Sequence, residues 1–368
     1  MSLFAEPEPA VVTRSRGGWI GLVLVVLGLG GLVAVATVPA PYVIQQPGPV
    51  YDTLGEVEVA GDRVPLIQIP LEPTYPTAGS LDMLTVGYVG SRQNAPSWLD
   101  IIGAHFDPAR AVIPVDLVYP PGVSFEDTSE QRRLDMDNSQ REAVAAALTA
   151  LGYEFDVTLT VAEVIAGGAS AGQLQDGDVI VSVNGQSPPD VTGLRAEIAA
   201  NGVNRPATVL ILRGEEELEV QITPTMSEGQ SPSPVFGILV ASSYDFPFAV
   251  TIQLENVGGS SAGMMFALGI IDKLTPGPLN GGESVAGTGT ISASGQVGAI
   301  GGIVQKMHGA VGAGADWFLA PAANCDEVAG NVPRGLHVFA VETLDDALVA
   351  MATLRSTGDG AGLPTCEG

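Results

Sequence analysis

The chain has 368 residues, too many for one ordinary domain and enough for two or three. Apolar residues make up 46% and charged residues 15%, which provides for a sizeable core and excludes a mostly disordered chain. The formal net charge of −26 excludes nucleic acid as a partner, because nothing would neutralise its phosphates.

The first element is Trp19–Val38, WIGLVLVVLGLGGLVAVATV, an apolar run without a charge. As a helix it spans ~30 Å, the thickness of a bilayer core. Trp19 and Tyr42 stand at its boundaries, as interfacial aromatics do, so 18–39 is expected to be a transmembrane helix. Arg14 and Arg16 precede the run and no basic residue follows until Arg63. The positive-inside rule then makes 1–17 a cytoplasmic tail and puts the rest outside the cell membrane. The alternative is a cleaved signal peptide, with Ala34-Val35-Ala36 as a small-residue site. Its apolar region would be about 7–15 residues, shorter than this one.

Residues 40–155 read as a β-rich extracytoplasmic region with turns at Gln46-Pro47-Gly48-Pro49 and Ala60-Gly61-Asp62. It ends in a helix over 139–151, with Ser139 as N-cap, Glu142 completing a capping box and Gly152 as the stop. Residues 156–225 form a further unit: a strand over 157–164, the turn-rich segment 167–186, a helix over 190–201 and a hairpin around Gly214. The string Leu174-Gln175-Asp176-Gly177-Asp178-Val179-Ile180 is followed by Val183-Asn184-Gly185. It resembles a PDZ domain of the bacterial protease type. That resemblance implies peptide capture at a sheet edge, with a purely structural spacer as the alternative; no carboxylate-binding loop is evident upstream. Residues 226–234, MSEGQSPSP, read as a linker.

The segment 235–355 carries the chemistry, and 356–368 is a tail. After the strand pattern Phe248–Leu254 comes Glu255-Asn256-Val257-Gly258-Gly259-Ser260-Ser261-Ala262-Gly263, then a helix to Leu274. Glycines before a helix leave amide N–H groups unpaired next to a serine, which suits an oxyanion; a plain N-cap serine is the bland alternative. Downstream lie Gly287-Thr288-Gly289-Thr290-Ile291-Ser292 and Ala299-Ile300-Gly301-Gly302-Ile303-Val304-Gln305-Lys306, followed by helix over 307–315 and strand over Trp317–Pro321. These three ordered motifs resemble the proteolytic domain of the Lon family, peptidase family S16. With the apolar N-terminal run and the PDZ-like unit, the whole chain resembles YlbL-type Lon-like proteases. The implied fold class is α+β.

The resemblance places the nucleophile on Ser261, the general base on Lys306 and a supporting threonine on Thr288, with Gly259, Ser260 and Ala262 as the nucleophile and oxyanion loop. Ser260 stands where the family usually has proline, which makes it a rival nucleophile. Gly258 stands where some members have an acid. The residues support a base: a lysine accepts a proton only when its pKa falls toward neutrality, and Ile300, Ile303, Val304 and Met307 offer an apolar wall. The other lysine, Lys273, reads as a solvated surface charge. His105, His308 and His337 keep a Ser-His-Asp triad conceivable, with His308 on the face of the helix opposite Lys306.

No phosphate-binding Gly-x-x-x-x-Gly-Lys motif occurs, so no ATP is expected. Without Cys-x-x-Cys or His-Glu-x-x-His, no metal or other cofactor is expected either. Cys325 and Cys366 either pair, a bond that persists only outside the cytosol, or remain two free buried thiols. The function expected is an ATP-independent, membrane-anchored serine endopeptidase acting on extracytoplasmic protein or peptide substrates chosen by the PDZ-like unit. The alternatives are a non-catalytic PDZ scaffold and a regulatory pseudo-peptidase. The resemblance also implies a homo-oligomer, a hexameric ring.

Overall fold

A computed structural model describes residues 16–59, 61–120, 122, 125–227, 232–254 and 257–366. Nearly all of the tail expected at 1–17, part of the linker expected at 226–234, and Glu255-Asn256 lie outside them. The chain divides into two units, Met1–Gln46 with Tyr88–Gly122, and Pro47–Gly87 with Val123–Gly368.

In the smaller unit, α1 covers Arg16–Thr37, and its side chains over 19–30 are exposed. The transmembrane helix expected at 18–39 is not supported: among the described residues no helix is long and apolar enough to cross a membrane. Strand β1 (Tyr42–Asp52) opens by pairing residues 42–45 antiparallel with Ala111–Pro114. A short helix, Trp98–His105, is started by a capping box between Ser97 and Asp100. Its Ile101 and Ala104 pack with Ala40 and Ile44.

The larger unit holds two sheet-based cores, the first made of two apolar clusters and the second of one. The first belongs to a sheet in the order β10, β9, β8, β2, β1, where β2 is Ser80–Val89, β8 Ser284–Gly287, β9 Trp317–Pro321 and β10 His337–Val341. From β2 to β10 the neighbours run parallel. Parallel strands are covered by helices and buried on both faces, and every residue of β9 is buried. The main cover is α2 (Phe125–Ala150) against α4 (Gly263–Leu274), whose residues 263–272 are all buried. One apolar cluster therefore joins Leu66 and Leu81, Ala143 and Leu148, and Met264 and Ile270. Segments distant in sequence build this cluster, so part of the region read as β-rich is inseparable from the sheet of β8, β9 and β10.

Helix α2 starts at Phe125, not at Ser139, so Ser139 is no N-cap but a mid-helix residue. The first half of α2 is polar and carries no apolar stripe that would reveal it. Arg133 bridges Glu130 and Asp137 at helical spacing, and Gln131 donates to Asp135.

The second core lies in an all-antiparallel sheet in the order β6, β5, β4, β3, β7. Here β3 is Asp156–Val164, β4 Val179–Val183, β5 Ala207–Arg213, β6 Glu216–Ile222 and β7 Ile238–Asp245. Ala207, Val209 and Ile211 alternate inward along β5 and meet Leu194 and Ile198 of α3 (Val191–Asn201). The Gly177-Asp178 turn is tied to β5 because buried Asp178 accepts two hydrogen bonds from Arg213 at 2.8 and 2.7 Å. The bond with Arg213 holds the Asp178 carboxyl below the usual carboxylate range. Strand β7 was not expected: the Pro-rich segment before it reads as the end of a domain, yet the chain returns to complete the sheet.

Candidate active site

Ser261 and Lys306 are 45 residues apart and are brought together by two helix starts. Ser261 lies just ahead of α4, and Lys306 sits in the opening turn of α5 (Ile303–Ala313). Lys306 Nζ donates to Ser261 Oγ at 2.7 Å and to Thr288 Oγ1 at 2.8 Å. Thr288 is fully buried, and its own hydroxyl donates to the Ser261 carbonyl at 2.9 Å. One threonine thus fixes both the amine and the backbone that carries the serine. The Gly289 amide donates to that same carbonyl at 2.9 Å.

Lys306 is 1% exposed and, among the described residues, forms no ion pair. Burial pushes its pKa from 10.5 down to about 7, and no charged neighbour opposes that shift. Ile300, Ile303 and Met307 lie in the apolar cluster around it, with Val304 partly buried at its border. The start of α5 adds a positive dipole end, which also disfavours an ammonium. The absent acid has a packing reason. A Cβ on Gly258 would meet Arg132 Cβ of α2 at 2.7 Å, so no acidic side chain fits there.

The nucleophile loop is braced by α2. Ser139, expected only as a cap, is buried and its Oγ donates to the Ser260 carbonyl at 3.0 Å. The Gly259 amide donates to the Arg132 carbonyl at 2.9 Å. Gly263 is a glycine because a Cβ there would meet Ser139 Oγ and Ile291 Cγ2, both at 2.9 Å. With the Gly259 amide committed to α2, the amides of Ser261 and Ala262 remain without a backbone partner among the described residues. Ser260 is not part of this arrangement: it is exposed, and the lysine reaches Ser261 instead.

Glu142, also misread as a capping residue, joins the two cores. Its carboxylate accepts from Tyr244 Oη of β7 at 2.7 Å and from the Ala293 amide at 2.6 Å, and burial holds its pKa up. Asp190 accepts from the Ser294 amide at 2.8 Å, so α3 and the 290–298 region are pinned together. These contacts join residues more than 100 positions apart, and no local pattern announces them. The lysine read as solvated, Lys273, is instead half-buried in the last turn of α4. Among the described residues no hydrogen bond links His105, His308 or His337 to Ser261, and no His/Cys/Asp/Glu group has a metal-binding arrangement. Cys325 and Cys366 form a disulfide.

Comparison with known proteins identifies two domains. The family model for the PDZ domain matches residues 132–212, and that for the Lon protease (S16) C-terminal proteolytic domain matches 256–354. "Lon protease 2" of Herpetosiphon aurantiacus is 42% identical over 93 residues, 24% of this chain and 11% of that protein. "Lon protease" of Clostridioides difficile is 28% identical over 191 residues, 47% of this chain and 22% of that protein. The chain therefore spans a quarter or less of these curated relatives' length. Among solved structures, the PDZ domain of an SdrC-like protein from Listeria innocua is 24% identical, covering 23% of this chain and 92% of that one, with a TM-score of 0.21, too low to carry an argument. The chain thus carries a PDZ domain together with the proteolytic domain of the Lon protease (S16) family, a serine peptidase domain.

Proposed function

We propose that the protein is an ATP-independent serine endopeptidase that hydrolyses peptide bonds with a Ser261–Lys306 dyad. The observation that carries this reading is the 2.7 Å contact between Ser261 Oγ and a lysine amine whose pKa burial brings to about 7. In the neutral state Lys306 Nζ takes the Ser261 proton as Oγ attacks the substrate carbonyl. The Ser261 and Ala262 amides are the donors left for the oxyanion. The resulting ammonium passes its proton to the departing amine, which leaves an acyl group on Ser261. A water then attacks that ester and gives its proton to Lys306; the acid product departs as Oγ is reprotonated. Thr288 keeps the amine aimed at Oγ throughout.

The PDZ domain selects protein or peptide substrates in this reading, through the exposed edge of its sheet. A membrane anchor over residues 19–38 is part of the same proposal, supported by the absence of charged residues from that run and by Arg14 and Arg16 before it. An extracytoplasmic location fits the Cys325–Cys366 disulfide. A homo-oligomeric ring rests on the family resemblance alone. The test of activity is labelling by a fluorophosphonate and cleavage of unfolded protein, both expected to vanish in Ser261→Ala. Labelling that survives in that variant would overturn the assignment. Protease shaving of intact cells tests topology: protection of the disulfide-bearing domain would contradict an outward location.

A further inference from the structure

One face of α2, from Ser129 through Arg132, Asp137 and Gln140 to Val144, lines two adjoining cavities of about 630 and 210 Å³. Asp137 and Gln140 belong to both, so the cavities form one groove. The opposite wall holds Phe246, Val250, Ile252, Leu254, Val257 and Gly258, none of them polar. The groove therefore begins at the residue after β7 ends and finishes three residues before Ser261.

Strand β7 is itself an outermost strand of its sheet. Outside its pairing with β3, residues 239–245 make no backbone hydrogen bond among the described residues. Leu239, Ala241, Ser243 and Asp245 are exposed, and the strand contains neither proline nor lysine, the residues that usually guard an edge. Such an edge accepts an extended polypeptide through its main chain.

We propose that an unfolded substrate is held along one track, with one segment added as a strand to the open edge of β7 and the chain N-terminal to that segment lying in the α2 groove up to Ser261. This rests on the proposed peptidase reading. All neighbours in the sheet are antiparallel, and antiparallel addition is the better paired arrangement. An antiparallel segment has its N-terminal end beside Asp245, where the groove opens. The bond cut is therefore N-terminal to the segment held. Strand β7 covers ~26 Å and the helix face ~22 Å, so the track takes on the order of fifteen extended residues beyond the cleaved bond. The polar wall on α2 and the apolar wall opposite suit a chain of mixed sequence, whose alternate side chains point to opposite sides.

The experiment uses the full-length protein and peptides built around one bond that it cuts in β-casein. In one series the C-terminal side is lengthened from about 5 to about 25 residues, and in the other the N-terminal side. The expected result is a rise in kcat/KM on the order of tenfold or more once the C-terminal side passes about fifteen residues, and no such step in the other series. In Val250→Trp, which fills the groove midway, the step is expected to disappear. A step on the N-terminal side, no step at all, or a step that persists in Val250→Trp would overturn the track. Ser261→Ala separates the two readings: cleavage of the shortest peptide that persists in this variant would count against the peptidase dyad rather than against the track.

Discussion

The two lysines of the chain occupy the opposite ends of two helices, and their surroundings explain why only Lys306 is proposed as a base. Lys273 closes α4, where a helix C-terminus favours a cation. Its amine lies 3.5 Å from the Leu54 carbonyl; burial lowers its pKa, while Asp272 and Asp52 act in the other direction. Lys306 opens α5, at the end that disfavours a cation, with two hydroxyls as partners and no acid. Burial alone does not make a catalytic lysine. What distinguishes Lys306 is burial without compensation, in contact with the hydroxyl whose proton it takes in the proposed mechanism.

Substitutions at the two lysines sharpen this contrast. Lys306→Arg is expected to lower peptide hydrolysis by about a thousandfold or more, as Ser261→Ala does, since guanidinium stays protonated. Lys273→Arg, at the other region, is expected to change kcat by less than about twofold. Comparable losses in both would erase the distinction. Thr288→Val keeps the shape but removes the hydroxyl that touches both partners. A fall in kcat of about ten- to a hundredfold is expected, with KM little changed, by steady-state kinetics.

A stability measurement probes the same difference without substrate. The folded-state pKa of Lys306, about 7, lies below its ordinary value of 10.5. Between these values the unfolded chain binds a proton that the folded protein does not, so stability rises with pH across that window. The gain is up to about 1.4 kcal/mol per pH unit, and the full penalty is present below pH 7. In Ser261→Ala/Lys306→Met that rise is expected to flatten, as read by urea unfolding at pH 6, 8 and 10. A change in the PDZ domain leaves the site untouched and is read in stability alone. Asp178→Asn is expected to cost about 2 kcal/mol at neutral pH by removing a charged partner of Arg213. The Asp178 contribution is present above the ordinary aspartate range and is lost as pH falls through its lowered folded value.

The site was legible because its chemistry is local: glycine-rich turns feed helices, and the register of Ser261, Thr288 and Lys306 can be read from each motif separately. The hairpin of β5 and β6 and the helix α3 were legible for a similar reason, since short-range alternation and an N-cap at Asp190 mark them. What stayed hidden depends on tertiary contact. The start of α2 is hidden by its polar composition, and the roles of Ser139 and Glu142 appear only when residues 260 and 293 fold against that helix. Gly258 read as a lost charge; in the fold it is the close approach of Arg132 that leaves no room for one.

The central claim is that Lys306, which loses its proton near neutrality, activates Ser261. The most direct test is the rate of Ser261 phosphonylation by a fluorophosphonate as a function of pH, in the wild-type protein and in Lys306→Arg. The expected rate rises through a single ionisation near pH 7, is unmoved by His308→Gln, and is nearly absent at every pH in Lys306→Arg. A Lys306→Arg protein that reacts at a substantial rate, or a limb that shifts with His308, would contradict the dyad.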